Sequence, residues 1–574
     1  MVLSLGNHSV TALHLAIMQN DMELVERCLE CVSDDIERKQ LLHIETTVNL
    51  SQESTPAVAL PLALAVWNAN EKIFNKLVDA GAELDYVDRE GYSILHTTVF
   101  MSGERPEEAC AMYDMIMNRA LHWWQTRENL PPGKFPAMEV RYHLLNQRSK
   151  DDLLNPLALA AHKGFRKMLE KILDTEYVYK FTVMKFGYKD IAYYDVTDLD
   201  PVLVQYKSTP SVIEQLIIST KDSTLQCLHI PILEHLLDTK WNNYFLYYLV
   251  VFLGYLVYMI LLTLSIPEEP PDLIFNASTN GNDTSNKLSV VNMMDYLLDL
   301  QLTKVEWCIF GGTAIIWLFG VTSLLASLML LARRRFRYRE ILLTYKRIIL
   351  FLFIIAFAVV IFIWIGLRLK SHPLQKIFLV VALVFGWSFL IVFMHGFEPT
   401  AFFSVMVERT LTKDMMLFGF CYVCISLGFT SGFVVNMAFD SKERLDSYSD
   451  IKAAFFTLFR TMLGFADPEE LFDRHKFSLE TYVINICLFI GFVFFTTILL
   501  LNMLIASMTN TYAEVSEHGA LFYKKLRAFN VHLIEQTLPS VLQYFSSYYT
   551  LKTYELKRRD GETIVRKVHL CRIG

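Results

Sequence analysis

The sequence predicts a mainly α-helical membrane protein in which an N-terminal solenoid of short helical repeats precedes six membrane-spanning helices. Its 574 residues are 53% hydrophobic and only 20% charged, a balance that excludes both a disordered chain and a single soluble domain. Six long apolar runs between residues 244 and 508 supply the excess of hydrophobic over charged residues, and a short motif recurs within residues 1–175. The formal charge of −7 provides no general attraction to nucleic acid.

The recurring N-terminal motif resembles the T-P-L-H-x-A start of ankyrin repeats, whose period is about 33 residues. Leu62 and Leu95, which occupy the same place in two copies, are 33 residues apart. We therefore predict an ankyrin-repeat solenoid over residues 1–175, with an unrelated helical domain as the alternative. His14 and His96 are then expected to cap repeat helices rather than to act in catalysis. The four copies of the motif begin at Thr11, Leu60, Ser93 and Asn155.

The six apolar runs have the length of membrane-spanning helices, because a hydrocarbon core of about 30 Å requires roughly 20 helical residues. One such run could be a buried core helix, but six in succession indicate a multi-pass membrane protein. The fourth run contains no Lys or Arg, so we do not expect the steep voltage dependence that gating charges produce. The runs are residues 244–266, 307–332, 348–367, 377–394, 415–439 and 481–508.

The loops between the runs predict the orientation of the chain. Residues 333–347 hold seven basic residues and one acidic residue, which places them in the cytoplasm by the positive-inside rule. The loop 267–304 holds six acidic and two basic residues and should face outward, where the acceptor motifs at Asn276 and Asn282 can be glycosylated. Six spans then leave both termini in the cytoplasm, and we expect the protein in the plasma membrane.

The segment between the last two runs indicates a pore. Residues 451–463 are amphipathic and too short to cross a membrane, and the sequence GFAD follows them. A re-entrant half-helix that ends in a Gly-containing turn and a carboxylate is a way to build a cation filter, with backbone carbonyls and a ring of Asp or Glu around the ion. One chain supplies a quarter of such a ring, so this interpretation requires a tetramer. An ordinary extracellular turn is the alternative.

Other functional classes receive less support from the sequence. Transporters usually contain repeated halves with helices broken at matching positions, and these runs show no such symmetry. The sequence contains no phosphate-binding loop, no G-x-S-x-G motif and no evident pair of catalytic carboxylates. We therefore expect neither enzymatic activity nor a cofactor.

Several segments, in order along the chain, resemble the vanilloid subfamily of transient receptor potential channels. Residues 194–200, YDVTDLD, are similar to the segment that links the repeats to the membrane domain in that subfamily. Residues 235–241, HLLDTKW, are similar to the segment that leads into its first span. Residues 396–406 resemble the linker between the fourth and fifth spans, and 500–506, LLNMLIA, the sixth-span signature. The resemblance implies a nonselective cation channel that passes Ca²⁺ and Na⁺ and opens in response to physical or chemical stimuli, as in sensory transduction.

The resemblance also implies where a filter and a gate lie. The filter of the subfamily is usually Gly-Met-Gly-Asp, so Asp467 is expected to bind Ca²⁺ transiently, while Ala466 in place of Gly restricts the backbone. Ile505 falls where the lower gate closes and an apolar ring would block ions by dewetting, although ordinary helix packing explains it equally well. The filter residues are Gly464, Phe465, Ala466 and Asp467, and the gate residues are Ile505 and Met508.

After the sixth span, a helix over residues 514–529 is predicted. Its apolar residues recur at spacings of 4, 3 and 4 and form one face, made of Phe522, Leu526, Phe529 and Leu533. Its basic residues are expected to face lipid headgroups or acidic partners, or to form a solvated face; they are Lys524, Lys525 and Arg527. The subfamily normally has a Trp in this helix and this chain has none. By resemblance, gating is coupled through Ser404, Arg409, Phe522 and Leu526.

The leading prediction is a gated, Ca²⁺-permeable homotetramer. The alternatives are a non-conducting or obligate partner subunit of a heteromeric channel, and a constitutively open Ca²⁺-uptake channel, whose filter Asp in the subfamily is spaced differently. The resemblance also admits membrane lipids, including one between the third, fourth and fifth spans, and calmodulin or ATP at the repeats. In the tail, alternating Thr563, Val565 and Val568 favour an edge strand. The predicted regions are 1–175 (repeats), 176–243 (coupling), 244–394 (four-helix bundle), 395–414 (linker helix), 415–508 (pore domain) and 509–574 (post-pore helix and tail).

Overall fold

The structure, a computed structural model, is mainly α-helical, as predicted. Its contacts divide the chain into two compact units: the first comprises Met1–Leu390 and Lys524–Gly574, and the second Ile391–Tyr523. The described residues are 2–5, 8–32, 34–46, 60–128, 134–150, 153–186, 189–200, 211–219, 222–265, 304–333, 338–370, 372–439, 446–448, 450–465, 477–537, 551–557 and 563–573.

The N-terminal part of the first unit consists of paired helices. Each copy of the predicted motif opens a short helix, and a second helix follows after a turn. Side chains tie neighbouring pairs together: the Asn68 amide donates to the Ile17 carbonyl over 2.7 Å, and Lys76 pairs with Glu26 over 2.8 Å. The elements are β1 (Val2–Leu5), β2 (His8–Thr11), α1 (Ala12–Met18), α2 (Met22–Glu30), α3 (Asp35–Leu42), α4 (Pro61–Trp67), α5 (Glu71–Asp79), α6 (Ile94–Met101), α7 (Pro106–Glu128), α8 (Lys134–Leu145), α9 (Pro156–Lys163) and α10 (Arg166–Leu173).

Histidine caps begin two of these helices. The Nδ1 atom of His14 lies 2.6 Å from the Thr11 hydroxyl, and its Nε2 atom lies 3.1 Å from the Ile44 carbonyl oxygen. His96 repeats the arrangement at the start of α6 and reaches the Leu154 carbonyl over 3.0 Å. Burial lowers the pKa of each histidine to about 4, so both rings are neutral near pH 7. Both histidines are therefore capping residues, as predicted.

The coupling region contributes to a sheet that includes the C-terminal tail. β3 (Lys180–Phe186) and β4 (Lys189–Asp195) form an antiparallel hairpin, and β5 (Leu551–Lys557) and β6 (Thr563–Ile573) complete four strands in the order β3-β4-β6-β5. β6 is therefore an inner strand. The predicted edge strand is wrong because the tail supplies a further strand, β5, that covers it. Two short helices, α11 (Val212–Ile218) and α12 (Asp222–Gln226), and a 3₁₀ turn (Cys227–His229) follow the hairpin in sequence.

Four long helices of the first unit share one apolar core, to which Met259, Ile309, Trp364 and Ala382 each contribute from a different helix. Polar contacts supplement it: the hydroxyls of Tyr258 and Thr313 lie 2.8 Å apart. The helices are α13 (Pro231–Leu264), α14 (Lys304–Arg333), α15 (Tyr338–Leu369) and α16 (Gln375–Phe393). α13 begins 13 residues before the apolar run, because Pro231 at its first position is compatible with a helix start and the early turns bury leucines.

The second unit contains the last two apolar helices and the short segment between them. Its elements are a 3₁₀ turn (Met394–Gly396), α17 (Glu398–Arg409), a π-helical segment (Thr410–Met415), α18 (Met416–Ala438), a 3₁₀ turn (Asp446–Tyr448), α19 (Ile451–Met462), α20 (Leu479–Val493), a π-helical segment (Phe494–Leu500) and α21 (Leu501–Glu517). α22 (Gly519–Thr537) begins in this unit and continues into the first. The prediction of one unbroken helix over 514–529 is wrong, because His518 leaves the helical conformation with φ −108° and ψ 17°.

Six helical stretches among the described residues are long and apolar enough to cross a membrane. They include the six predicted runs or most of each: three stretches belong to the first unit, two to the second, and Gln375–Gly396 begins in the first and ends in the second. The chain is accordingly a multi-pass membrane protein.

Candidate pore and gate

The pore-helix candidate, α19, packs by one face within the second unit. Ala454 and Leu458, four residues apart on that face, are fully buried. Tyr422 of α18 contacts two aromatic rings of α19, with centroids 6.3 Å from Phe455 and 6.0 Å from Phe459. A helix of 12 residues is about 18 Å long, well short of a hydrocarbon core of about 30 Å.

A glycine in the left-handed region of the backbone ends α19. Gly464 has φ of +79°; its amide donates to the Thr461 carbonyl over 3.0 Å, and the Phe465 amide donates to the Arg460 carbonyl over 2.8 Å. These two bonds form a Schellman cap, in which a residue with a side chain costs about 1–2 kcal/mol at the left-handed position. The turn that follows the helix therefore requires Gly464, and it leaves the Phe465 side chain largely exposed.

Four predicted site residues lie outside the described part of the chain: Ala466 and Asp467 of the filter, and the glycosylation acceptors Asn276 and Asn282. Within the described ranges, no group of three or more His, Cys, Asp or Glu side chains is arranged to hold a metal ion. The assignment of Asp467 as a transient Ca²⁺ ligand stays a prediction.

The predicted gate residues lie on α21, directly after a π-helical segment. Ile505 and Met508 are three residues apart on one face and are 55% and 36% exposed. Ile505 is therefore more than half exposed in the single chain, and its role as a gate residue stays a prediction. A π-helical turn places an extra residue in the helix and rotates every side chain after it, and such turns are frequent at functional sites.

A buried carboxylate joins the start of the fifth span to the end of the sixth. Asp414 lies in the π-helical segment before α18; one of its oxygens accepts from the Ser507 hydroxyl over 2.6 Å and the other from the Thr511 hydroxyl over 2.8 Å. The two hydroxyls are one turn apart on α21. Because hydrogen bonds to an ionised acceptor are stronger than neutral ones, Asp414 anchors the lower part of α21.

The linker helix α17 is attached to both the preceding span and the post-pore segment. The buried Ser404 hydroxyl donates to the Ile391 carbonyl over 3.0 Å. Arg409 forms a 2.5 Å ion pair with Glu514 of α21, and its guanidinium carbon lies 4.3 Å from the centre of the Phe522 ring. Phe522 thus provides an aromatic contact to the linker in a helix that has no Trp.

The basic residues of α22 are paired within the first unit. Lys524 lies 2.7 Å from Glu234, Arg527 pairs with Asp238, and Lys525 donates to a backbone carbonyl over 2.7 Å. For Lys524 and Arg527 the acidic partners that the sequence also allowed are therefore present, and α13 of the same chain supplies them. The lipid-facing and solvated arrangements are wrong for these two residues, whose side chains are 19% and 14% exposed.

The structure brings two of the predicted coupling residues together. Arg409 and Phe522 are in contact, whereas Leu526 is half-buried in the first unit. Sequence reasoning missed Asp414 and Glu514. A lone acid at the border of an apolar run was the available signal for Asp414, since ionisable residues at membrane depth are rare and are usually functional. No sequence signal connects Glu514 with Arg409, 105 residues earlier.

Comparison with known proteins also finds similarity to cation channels. The family described as "Calcium channel YVC1-like, C-terminal" matches residues 289–548. Human transient receptor potential cation channel subfamily V member 6 is 24% identical over 487 residues, which cover 84% of this chain and 58% of that protein. Human member 5 is 24% identical over 489 residues, covering 84% and 61%, and rat member 4 is 25% identical over 517 residues, covering 84% and 54%.

These matches confirm the resemblance to the vanilloid subfamily of transient receptor potential channels. The chain spans about three fifths of the length of these curated relatives: 58% of human member 6 and 61% of human member 5.

Proposed function

We propose that this vanilloid-like chain is one subunit of a tetrameric, Ca²⁺-permeable, nonselective cation channel that opens in response to a physical or chemical stimulus. The observation that carries the proposal is its similarity, over 84% of its residues, to proteins named as cation channels. The family match, named for a calcium channel, includes the whole candidate pore and gate. The six apolar helices provide the membrane domain that such a function requires.

The proposed pore consists of α18, α19, α20 and α21 from each of four copies. α19 serves as a re-entrant pore helix, and its Schellman cap directs the chain into a filter that ends at Asp467. Exposed apolar residues on α18 support burial of this helix against other copies or lipid; among them Leu417 is 69% and Phe420 71% exposed. Four copies of Asp467 would select for cations by their charge.

The proposed gate is the apolar ring of Ile505 and Met508, and the linker helix moves it. Arg409 connects α17 to Glu514 and Phe522, while Asp414 connects the start of α18 to α21. A displacement of the linker is therefore transmitted to the segment just below the gate. Two contacts support this role: the ion pair of Arg409, at the end of α17, and the hydrogen bonds of Asp414, just before α18.

The proposed cytosolic part is an ankyrin-repeat solenoid, with both termini on the cytoplasmic side of the plasma membrane. Its support is the coincidence of all four motif copies with helix starts, and the bonds that join successive helix pairs. The sheet in which β6 pairs with β4 brings the C-terminal tail to the segment just after the repeats. Stimulus-dependent changes in the tail or the repeats would then reach the same sheet.

Whole-cell recording of the chain expressed alone, beside its Asp467→Asn variant, tests the proposal. We expect a cation current on stimulation, and a lower Ca²⁺-to-Na⁺ permeability in Asp467→Asn. Glu470→Gln, which changes the same charge three residues away, should retain the wild-type permeability. Silence of the chain alone, with current restored by a second subunit, would instead indicate an obligate partner, and current without any stimulus would indicate an open uptake channel.

A further inference from the structure

Three charged side chains meet inside the first unit, where α22 contacts α13. The Lys240 ammonium lies 2.5 Å from an Asp200 oxygen and 2.7 Å from a Glu535 oxygen. The side chains of Asp200 and Glu535 are 3% and 2% exposed, and that of Lys240 is 13% exposed. The Tyr244 hydroxyl, one turn after Lys240, donates to the same Glu535 oxygen over 3.4 Å.

This cluster contains one more acid than base. If both carboxylates are ionised, these three buried side chains together carry a net charge of −1. Burial of an uncompensated charge is strongly unfavourable, and a group in that position binds a proton instead. One proton on a carboxylate leaves a balanced Lys–carboxylate pair and a neutral acid.

Glu535 is the carboxylate that best accommodates the proton. Its second oxygen, Oε2, is buried and has no hydrogen-bond partner among the described residues. Burial, opposed by the Lys240 ammonium and reinforced by the charge of Asp200, raises the pKa of Glu535 to about 7. The titratable groups that act on it are Lys240 and Tyr244 of α13 and Asp200 after β4; buried His532 lies one turn earlier on its own helix.

We propose that Glu535, Asp200 and Lys240 form a cytosolic proton-binding site, and that its occupancy controls how firmly α22 is held against α13. A proton taken from the cytosol by Glu535 removes the buried net charge. Protonation therefore strengthens docking most at low pH, and this contribution declines as the pH rises toward 7 and is lost above it. Since α22 follows the gate helix α21 directly in the chain, the same proton biases opening; this step and the cytosolic location of the site rest on the proposed function.

Infrared spectroscopy of the purified full-length chain in lipid nanodiscs tests the proton site without any measurement of conduction. We expect the carbonyl band of a protonated carboxylic acid to grow between pH 8 and pH 6, with the ratio of acid to carboxylate rising about tenfold per pH unit. The band should be absent from Glu535→Gln and present in Glu517→Gln, which removes an exposed acid 18 residues earlier in the chain. A wild-type spectrum with no titrating band in this range, or a band that survives Glu535→Gln, would overturn the assignment.

A second variant covers the case in which Glu535→Gln fails to fold. Asp200→Asn removes the competing anion, so the midpoint of the same band should move to lower pH; an unchanged midpoint contradicts the shared-ammonium arrangement. Hydrogen exchange of α22, corrected for intrinsic rates, should be slower at pH 6.5 than at pH 8 in the wild type and insensitive to pH in Glu535→Gln. Equal pH dependence in both would refute control of docking. A titrating band in a protein that conducts no ions would leave the proton site intact and refute only the proposed function.

Discussion

Replacement of Asp414 by Ala should release the lower part of α21 from the start of α18. The carboxylate accepts hydrogen bonds of 2.6 and 2.8 Å from Ser507 and Thr511. A hydrogen bond to a charged group contributes about 1.5–3 kcal/mol, so the pair contributes about 3 kcal/mol at the lower limit. If both bonds are present in only one gate state, their loss shifts the open–closed equilibrium by about 100-fold, because 1.4 kcal/mol corresponds to tenfold.

A double-mutant cycle between Asp414→Ala and Thr511→Val measures the contact itself. Single-channel open probability supplies the free energy of opening for each variant, and we expect the two substitutions to be non-additive by about 1 kcal/mol or more. Thr509→Val is the matched control, since the Thr509 hydroxyl donates to the Ile505 carbonyl of its own helix over 2.8 Å. If the effects of Asp414→Ala and Thr511→Val add within about 0.5 kcal/mol, the two side chains are not coupled in gating.

Three further predictions concern the linker, the filter turn and the repeats. Arg409→Lys keeps the charge but loses the planar contact with Phe522. The opening equilibrium should therefore change about two- to fivefold, the equivalent of about 0.5–1 kcal/mol. Single-channel recordings that show no change would contradict the cation–π contact. Gly464→Ala should lower the free energy of unfolding by about 1–2 kcal/mol, whereas Gly419→Ala, in a helical site with open space at the Cβ position, should not; thermal unfolding of both variants distinguishes them. Protonation of His96 should destabilise the repeats by up to about 3 kcal/mol as the pH falls from 6.5 toward 4. The pKa of His96 is lowered to about 4 in the folded chain, so the unfolded chain binds the proton first. Hydrogen exchange of α6, corrected for intrinsic rates, should therefore accelerate between pH 7 and pH 5, and equal protection at both values would contradict this linkage.

Features that depend on neighbouring residues were accessible from the sequence. An apolar run of about 20 residues is its own signal for a spanning helix, and all six runs coincide with such helices in the structure. The cap at His14 is likewise local, since its partner Thr11 is three residues away. The glycine turn that ends α19 also follows from a short pattern, a helix followed by Gly464.

Contacts between distant segments were not accessible, because hydropathy along the chain does not specify the register between helices. Asp414 and Thr511 are 97 residues apart, and Lys240 and Glu535 are 295 apart. The deeply buried face of α22 was not predicted either: Leu526 of the predicted face is only half-buried, whereas Ala528, Val531 and Ile534 are buried.

The most direct test of a cation channel is a recording from the purified chain in planar lipid bilayers that contain no other protein. A cation channel should give unitary currents whose reversal potential follows the gradients of Na⁺ and Ca²⁺, with a loss of Ca²⁺ permeation in Asp467→Asn. Intact purified protein that gives no unitary current under applied stimuli, or currents that reverse with the Cl⁻ gradient, would contradict this function.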